Sequence, residues 1–191
     1  VVVGEESAFA DPTILAAVPH ADLAWVIDPI DGTKNFVRGS VDHGVMLAQL
    51  NRGETVRGWI WQPQHGHMWF AERGTGVTCD GDEVTRGVSH SPVRAATTHE
   101  AYKIASPVVE WRMAKWCCAV DYPLVCLGET DVTVYQHSYL WDHLPGALMI
   151  REIGGVVRTV DGAEYGPRET SGKLVVAADE GAYERVARLL R

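Results

Sequence analysis

The chain has 191 residues, of which 46% are hydrophobic and 22% are charged, and its formal net charge is −8. This length and apolar fraction allow a sizeable core, in one large domain or in two closely packed lobes. The negative charge argues against general binding to nucleic acid or to an anionic membrane. No apolar run approaches the roughly 20 residues that span a bilayer. Composition therefore favours a globular protein that does not bind nucleic acid or anionic membranes in a general way.

The first half of the chain is predicted to form an antiparallel meander. Short apolar runs alternate with turn residues such as Asn51-Arg52-Gly53-Glu54, which indicate hairpin connections. The predicted strands cover residues 1–3, 23–27, 44–50, 56–62, 67–71 and 76–79. Residues 11–21 are expected to form a loop, and residues 34–38 a single helical turn.

The second half is predicted to be α/β, because strand-like and helix-like segments alternate there. The predicted strands cover residues 114–119, 132–136 and 173–177, and the predicted helices cover residues 122–127, 142–153 and 183–191. Residues 84–108 mix Ser, His, Pro and Thr and are expected to form an irregular connection. This pattern divides the domain into an antiparallel-sheet lobe, residues 1–83, and an α/β lobe, residues 109–191.

The four cysteines show no spacing typical of a zinc site. Cys117 and Cys118 would point to opposite faces of the predicted strand, so a disulfide between them is not expected. We predict reduced, partly buried thiols in a cytoplasmic protein. The chain also begins with Val1 rather than Met, in what is predicted to be a strand already inside a domain, so a leading segment is expected to be missing.

Two carboxylates, a proline and a glycine directly follow the apolar run 23–27, in the sequence Asp28-Pro29-Ile30-Asp31-Gly32-Thr33. A strand that ends in carboxylates brings them to one rim of a sheet. Pro29 fixes the backbone between the two acids, and Gly32 lets a ligand approach backbone N–H groups closely. Hard cations bind oxygen ligands, so this segment predicts a site for metal ions and phosphate.

Two further acidic elements accompany this segment, Glu5-Glu6 near the start of the chain and Asp142 at the start of a predicted helix. Each has an ordinary explanation by itself. A Glu pair is commonly exposed to solvent, and an aspartate in the first turn of a helix is favoured by the helix dipole. Three such elements, each at the end of a strand or the start of a helix, together indicate a shared metal site.

With these elements the sequence resembles the inositol monophosphatase family of magnesium-dependent, lithium-sensitive phosphatases. The segment 28–33 resembles the first signature of the family. Trp141-Asp142 to Pro145-Gly146, followed by Glu152-Ile153-Gly154-Gly155, resembles the second, and Gly4-Glu5-Glu6-Ser7 resembles the glutamate segment that precedes the first. The resemblance covers essentially the whole chain. It implies a layered α/β/α/β/α sandwich of the inositol monophosphatase and fructose-1,6-bisphosphatase type, a single domain without its N-terminal helical segment, and a homodimer.

The resemblance also implies a set of metal ligands. Glu5, Asp28 and the carbonyl oxygen of Ile30 would hold one Mg²⁺. Asp28, Asp31 and Asp142 would hold a second Mg²⁺, with Asp28 bridging the two ions. A weaker third Mg²⁺ near Glu5 and inhibition by Li⁺ follow from the same resemblance.

Phosphate contacts and catalytic roles are implied in the same way. Backbone N–H groups of Gly32 and Thr33 would contact the phosphate, and the candidate catalytic residues are Glu5, Thr33 and Asp31. Glu5 and the Thr33 hydroxyl would orient a water that the metals activate for direct hydrolysis. The chain has no Cys-x5-Arg loop, which argues against a thiol phosphatase.

Departures from the family pattern leave the substrate open. Lys34 stands where inositol-specific enzymes carry threonine, and Gly-Thr-Lys-Asn-Phe at 32–36 resembles histidinol-phosphate phosphatases. Tyr135, seven residues before Asp142, stands where the inositol-specific enzymes place a glutamate that contacts substrate. Lys34, His43, Asp121 and Tyr135 are the candidate substrate-binding residues.

The predicted function is a Mg²⁺-dependent phosphomonoesterase for a small phosphorylated polyol or sugar. Histidinol phosphate and, less strongly, 3′-phosphoadenosine phosphate are the alternative substrates. The alternative outside enzymes is a catalytically silent metal-binding interaction module.

Overall fold

A computed structural model describes residues 1–168 and 172–191, which form two β-sheets and five α-helices. In chain order the strands are β1 Val2–Gly4, β2 Leu23–Asp31, β3 Gly44–Asn51, β4 Glu54–Gln62, β5 His67–Glu72, β6 Gly76–Cys79, β7 Asp82–Glu83, β8 Val93–Thr97, β9 Val109–Met113, β10 Val132–Tyr135, β11 Val156–Thr159 and β12 Leu174–Ala177. The α-helices are α1 Glu5–Ala10, α2 Thr33–Val37, α3 Cys118–Cys126, α4 Leu140–Glu152 and α5 Glu180–Leu190, and 3-10 helices cover Pro12–His20 and Glu100–Tyr102.

The first sheet has seven strands in the order β1 to β7 and confirms the predicted meander. Strands β2 to β7 are antiparallel, whereas β1 pairs with β2 in parallel. Strand β2 is longer than predicted, because Asp28 still pairs with Met46 and Asp31 pairs with Gly44 across an irregularity between the two acids. The acidic segment is therefore the bulged end of a strand rather than a free turn.

The second sheet has five strands in the order β11-β12-β10-β8-β9. Strands β8, β9 and β10 are parallel, and β12 is antiparallel to both of its neighbours. Residues 84–108, predicted to be irregular, contain β8 in the interior of this sheet. The sequence Val93-Arg94-Ala95-Ala96-Thr97 is short and rich in small side chains, so its apolar signal is weak.

Two further secondary-structure predictions were wrong. Residues 114–119 are not a strand, because β9 ends at Met113 and α3 begins at Cys118. A short apolar run of this kind does not distinguish a buried strand from a buried helix. Residues 12–20 of the predicted loop form a 3-10 helix, which starts with Pro12 and is capped by the Asp11 carboxylate at 3.0 Å from the Thr13 N–H.

Helices α3 and α4 lie between the two sheets, and α5 covers the far face of the second sheet. The described residues thus form sheet, helix, sheet and helix layers, in agreement with the predicted sandwich. Helices α3 and α4 cross closely, since a Cβ added at Gly146 would lie 2.2 Å from the Tyr122 ring. Residues of both predicted lobes contribute to one buried core, and the lobe boundaries stay a prediction.

Helix α4 is held at its C-terminal end by the turn between β5 and β6. The backbone N–H groups of Gly74 and Gly76 donate to the Glu152 carboxylate at 2.9 to 3.0 Å. A carboxylate at the C-terminus of a helix opposes the helix dipole, and these donors offset that cost. The opposite end of the same helix carries Asp142.

The four cysteines are free thiols, with Cys117, Cys118 and Cys126 buried and Cys79 partly buried. Cys117 and Cys118 stand at the start of α3 rather than on a strand. None of the helices in the described part of the chain has the length and hydropathy of a membrane span.

A buried ion pair joins residues 84–92 to the second sheet. Arg86 donates to Asp131 at 2.6 Å, and the two side chains are 3% and 0% exposed. Asp131 also accepts from the backbone N–H groups of His90 and Arg94. Burial alone would raise the pKa of Asp131, but these hydrogen bonds outweigh burial and hold the pKa below its usual value.

We expect Asp131→Asn to lower the free energy of unfolding by about 3 kcal/mol, because Arg86 becomes a buried charge without its partner. Urea denaturation at neutral pH measures the loss. A depressed folded-state pKa stabilises the fold above the unfolded pKa, and this contribution disappears as pH falls through the folded pKa. Wild type and variant should therefore converge in acid. Asp161→Asn, at an exposed position, is the control, and an equal loss in both variants would contradict the assignment.

Candidate active site

The two acids of β2 are buried and held by hydrogen bonds. Asp28 is 2% exposed and accepts from the Ile30 N–H at 2.9 Å. Asp31 is 6% exposed, and its Oδ2 accepts from the Ala119 N–H at 2.6 Å and from the Cys117 thiol at 3.0 Å. Asp31 is therefore fixed to the first turn of α3, which orients its carboxylate independently of solvent.

The turn after β2 needs the glycine that the sequence provides. Gly32 has φ +78° in the left-handed region, and a Cβ there would lie 3.1 Å from Cys117 and from the Asp42 carbonyl oxygen. Gly32 precedes α2, and the Thr33 hydroxyl donates to the Ile30 carbonyl at 3.0 Å. The turn thus binds back onto the end of β2.

Two other segments bring carboxylates to the same point. Glu5 begins α1 directly after β1, and the parallel register that places Gly4 opposite Ile27 puts Glu5 close enough to Asp28 for its charge to help raise the pKa of Glu5. Asp142 lies in the first turn of α4. Ligand oxygens of Asp28, Asp31 and Asp142 all lie within 4.8 Å of one another. Strand β2 and helices α1 and α4 therefore converge through their acidic residues.

Clustering of these acids changes how they ionise. Burial, with the charge of Asp31 adding to it, raises the pKa of Asp28 to about 6. Burial and the charges of Asp31, Asp28 and Glu5 raise the pKa of Asp142 well above its usual value. Burial also raises the pKa of Glu5, and Asp28 adds to the effect. Like charges that cannot be hydrated favour a bound cation, and an all-oxygen donor set fits Mg²⁺.

These residues line one open cavity of about 380 Å³, which we call the phosphate cavity. Its lining consists of Glu5, Asp28, Ile30, Asp31, Gly32, Thr33, Lys34, Trp116 and Asp142. The structure thus brings together every residue for which the sequence predicts a metal, phosphate or catalytic role. Those assignments came from three separate stretches of the chain.

A second cavity of about 310 Å³ adjoins the first and shares Lys34, Trp116 and Asp142 with it. We call it the side cavity. Its remaining lining residues are Thr98, His99, Cys118, Tyr135, Gln136, His137, Tyr139 and His143. Of the predicted substrate residues, Lys34 and Tyr135 lie here.

The other two predicted substrate residues, His43 and Asp121, are not among the residues that line either cavity. His43 is buried against Phe36, with ring centroids 5.1 Å apart, and its Nδ1 lies 2.9 Å from the Ser40 carbonyl oxygen. Asp121 is 2% exposed and accepts from the Lys115 N–H at 2.9 Å. Both side chains stabilise loops, which corrects the expectation of a substrate contact.

Sequence reasoning missed Trp116, His99, His137 and Tyr139 as cavity residues. Trp116 lies in the turn between β9 and α3 with φ +60°, and its side chain is 54% exposed. The predicted strand over 114–119 concealed this turn. The local sequence around Trp116 does not indicate that its side chain lines a cavity. This position became apparent only from the fold.

We expect Gly44→Ala to destabilise the protein by about 1–3 kcal/mol and to weaken divalent-cation binding. A Cβ at Gly44 would lie 2.6 Å from the Ala119 Cβ and 2.8 Å from the Trp61 carbonyl oxygen, so Ala119, whose N–H binds Asp31, must shift. Thermal denaturation and titration calorimetry measure the two effects. The control is Gly87→Ala, where an added Cβ meets nothing within 4 Å. Unchanged cation affinity in Gly44→Ala would contradict the proposed coupling.

Solved structures resemble the whole chain. A dual specific IMPase/NADP phosphatase bound with D-inositol-1-phosphate superposes with a TM-score of 0.84 at 19% identity, covering 100% of this chain and 75% of that one. A staphylococcal IMPase-I complexed with products gives a TM-score of 0.82, also at 19% identity, covering 100% and 72%. At this identity the likeness concerns the fold.

Curated relatives are similar at the sequence level. Inositol-1-monophosphatase of Mycobacterium leprae is 31% identical over 207 residues, covering 100% of this chain and 70% of the relative. Inositol-1-monophosphatase ImpA of Mycolicibacterium smegmatis is 29% identical over 190 residues, covering 88% and 66%. Histidinol-phosphatase of Mycobacterium tuberculosis is 31% identical over 157 residues, covering 72% and 59%.

The chain spans about two thirds of the length of the curated relatives it matches. A sequence profile of the inositol monophosphatase family matches residues 1–191. The match includes the acidic ends of β1 and β2 and the start of α4, the three places whose carboxylates meet in the phosphate cavity. The chain therefore belongs to the inositol monophosphatase family.

Proposed function

We propose that the protein is a Mg²⁺-dependent phosphomonoesterase that hydrolyses a small phosphorylated metabolite by direct attack of water. One observation carries this proposal. The carboxylates of Asp28, Asp31 and Asp142 converge within 4.8 Å in a cavity that also exposes the turn at Gly32 and Thr33. A cluster of acids repels a phosphate dianion unless cations lie between them, so the site suits a metal-assisted reaction.

Glu5, Asp28, the carbonyl oxygen of Ile30, Asp31 and Asp142 would hold the metal ions. When bound, Mg²⁺ supplies positive charge that binds the phosphate, acidifies water and stabilises the leaving oxygen. We propose two ions, with a weaker third near Glu5, and inhibition by Li⁺. A related IMPase/NADP phosphatase has been solved with Mg²⁺ and phosphate, and a staphylococcal inositol monophosphatase-1 as a LiCl-soaked inhibitory complex. Both observations concern those relatives and support the proposal.

The chain's own groups would orient the reactants. The Glu5 carboxylate accepts a proton from the attacking water, and the Thr33 hydroxyl, held by the Ile30 carbonyl, keeps that water in line. The backbone N–H groups of Gly32 and Thr33, at the start of α2, would contact the phosphate. As the new oxygen–phosphorus bond forms, the bond from phosphorus to the alcohol oxygen breaks, and the alcohol leaves as its oxygen gains a proton.

A covalent cysteine intermediate does not fit the site. Burial raises the pKa of Cys117 and of Cys118, with the charge of Asp31 adding to the effect in both. The thiolate is the nucleophilic form of cysteine, and a raised pKa depletes it at neutral pH. Cys117 instead acts as a hydrogen-bond donor to Asp31. Water is therefore the nucleophile in the proposed reaction.

Histidinol phosphate and, less strongly, 3′-phosphoadenosine phosphate stay open as alternative substrates to a phosphorylated polyol or sugar. The relatives named inositol-1-monophosphatase and histidinol-phosphatase are each 31% identical to this chain, over 207 and 157 residues respectively. A homodimer is inferred from the family resemblance alone. A catalytically silent metal-binding module is less well supported, because the phosphate cavity is open and continuous with a second cavity.

Asp142→Asn should lower Mg²⁺-dependent phosphate release by about a thousandfold, because one carboxylate of the converging set is lost while the side-chain volume stays nearly the same. Phosphate release at saturating Mg²⁺ gives the measurement, and circular dichroism verifies the fold. Asp22→Asn, whose side chain is 95% exposed, is the matched control. Activity within tenfold of wild type in Asp142→Asn would exclude the proposed mechanism.

Removal of divalent cations provides a separate prediction. Dialysis against EDTA should abolish phosphate release and lower the melting temperature, because the carboxylates then repel one another inside the site. Added Mg²⁺ should restore both quantities, and Na⁺ at equal ionic strength serves as the control. Activity that persists in EDTA would contradict a role for the metal.

A further inference from the structure

Three side chains that commonly bind metals meet at one corner of the first sheet. They are His67 at the start of β5, Cys79 at the end of β6, and Asp80 directly after β6. One ligand atom from each residue, an imidazole nitrogen, a thiol sulfur and a carboxylate oxygen, lies within 4.8 Å of the other two. The proposed phosphatase site uses none of these three residues.

The register of the two strands brings His67 and Cys79 together. Strands β5 and β6 are antiparallel, with Trp69 opposite Cys79. Residues that lie opposite each other share a face of the sheet, and a face repeats every second residue, so His67 lies on the same face as Cys79. Both side chains line a cavity of about 310 Å³ between the sheet and α3, which we call the hairpin cavity. The chain has no paired cysteines around this point, so the ligand set becomes visible only through the register.

The third ligand, Asp80, is oriented by a tight turn. Asp80 and Gly81 connect β6 to β7 with φ +55° and +92°, as in a two-residue Asp-Gly hairpin. The Asp80 N–H donates to the Met68 carbonyl at 2.8 Å, and the Met68 N–H donates to Asp80 Oδ1 at 2.8 Å. These two bonds fix the carboxylate. Its other oxygen, Oδ2, lies 2.7 Å from His67 Nδ1 and 3.8 Å from the Cys79 sulfur.

These separations suit a tetrahedral ion. Bonds of about 2.0–2.3 Å to Zn²⁺ place neighbouring ligand atoms roughly 3.3–3.7 Å apart. The measured distances of 2.7 Å and 3.8 Å bracket this range, and His67 and Asp80 are exposed and able to adjust. A hydrogen bond explains the approach of His67 to Asp80. It does not explain why the Cys79 sulfur lies at the spacing of two ligands of one ion.

The donor atoms select the kind of metal. A thiolate, an imidazole and a carboxylate together suit Zn²⁺, whereas Mg²⁺ prefers oxygen ligands alone. The acid cluster around Asp28 is the opposite case, with oxygen donors. Among the described residues, none lines both the hairpin cavity and either the phosphate cavity or the side cavity. The two places therefore differ in position and in the metal they suit.

We propose that His67 Nδ1, the Cys79 thiolate and Asp80 Oδ2 bind one Zn²⁺, with water in the fourth position. On binding, the Cys79 thiol releases its proton to solvent as the sulfur–zinc bond forms. The ion joins β5 to the turn between β6 and β7 and so holds the edge of the first sheet. His65 lines the same cavity, but its Nε2 lies 3.1 Å from Asp42, and it is not one of the ligands.

Calorimetric titration of Zn²⁺ into the full chain tests the ligand set, with Mg²⁺ in excess to occupy the acid cluster. Cys79→Ser and His67→Asn should each weaken Zn²⁺ binding by about a hundredfold or more, because the loss of an outer partner of a ligand alone costs up to about that factor. Asp80→Asn should weaken it by about tenfold. Asparagine tolerates a positive φ and keeps an oxygen for the Met68 N–H, so this variant removes the charge and preserves the turn.

His65→Asn is the matched control, because His65 lines the same cavity and bonds to Asp42. It should keep the wild-type affinity for Zn²⁺, and a loss equal to that of His67→Asn would overturn the assigned ligands. Zn²⁺ should also raise the melting temperature of the wild type and leave that of Cys79→Ser unchanged. Equal Zn²⁺ affinity in the wild type and Cys79→Ser would overturn the proposal.

Co²⁺ in place of Zn²⁺ reports on the sulfur directly. A thiolate bound to Co²⁺ gives a charge-transfer absorption band in the near ultraviolet. The band should appear in the wild type and in His65→Asn and be lost in Cys79→Ser. Cys118 lies with Asp142 and His143 in another group of potential ligands. A band that persists in Cys79→Ser would therefore place the bound thiolate elsewhere and overturn the assignment to the hairpin cavity.

Discussion

Repulsion among closely spaced carboxylates is the constraint around which this molecule is built. Asp28 and Asp31 occupy a bulged strand end, and Glu5 and Asp142 lie on two helices, so three elements that meet at the site each bring negative charge. Such a cluster exists only where the surrounding structure holds each acid in place. The Ile30 N–H fixes Asp28, and the first turn of α3 fixes Asp31. The free energy gained by burying the core between the sheets offsets the repulsion among these carboxylates.

The phosphate cavity and the side cavity are lined by different kinds of residue. The phosphate cavity is lined mainly by carboxylates and a glycine turn, and backbone N–H groups hold two of the carboxylates in place, so its shape depends closely on the path of the chain. Side chains from several loops define the side cavity, and two of its aromatic rings are substantially exposed. Substitutions on the side cavity can therefore alter selectivity while the acids stay in register. This separation gives a physical reason why members of one family can share chemistry and differ in substrate.

The sequence predicted those features that depend on residues close together in the chain, and it missed those that depend on tertiary packing. The acidic segment 28–33 and the start of α4 carry several carboxylates at a characteristic spacing, and the structure brings these residues into one cavity. Strand β8 has small side chains whose pattern is weak, and its parallel neighbours are distant in sequence. The apolar run at 114–119 is compatible with a strand as well as with a helix, so the sequence did not predict that Trp116 lies in an exposed turn. His43 and Asp121 were near the motifs in sequence, but their side chains bind loop backbone instead.

Helix α4 joins two fixed points, the hairpin turn that binds Glu152 and the acid cluster that contains Asp142. Each residue of an α-helix rotates the next by about 100°. Insertion or deletion of one residue between these points would turn Asp142 away from Asp28 and Asp31 while the hairpin still held the other end. The helix can thus accommodate changes of side chain more readily than a change of length. The number of residues between Asp142 and Glu152 sets the direction in which Asp142 points at the site.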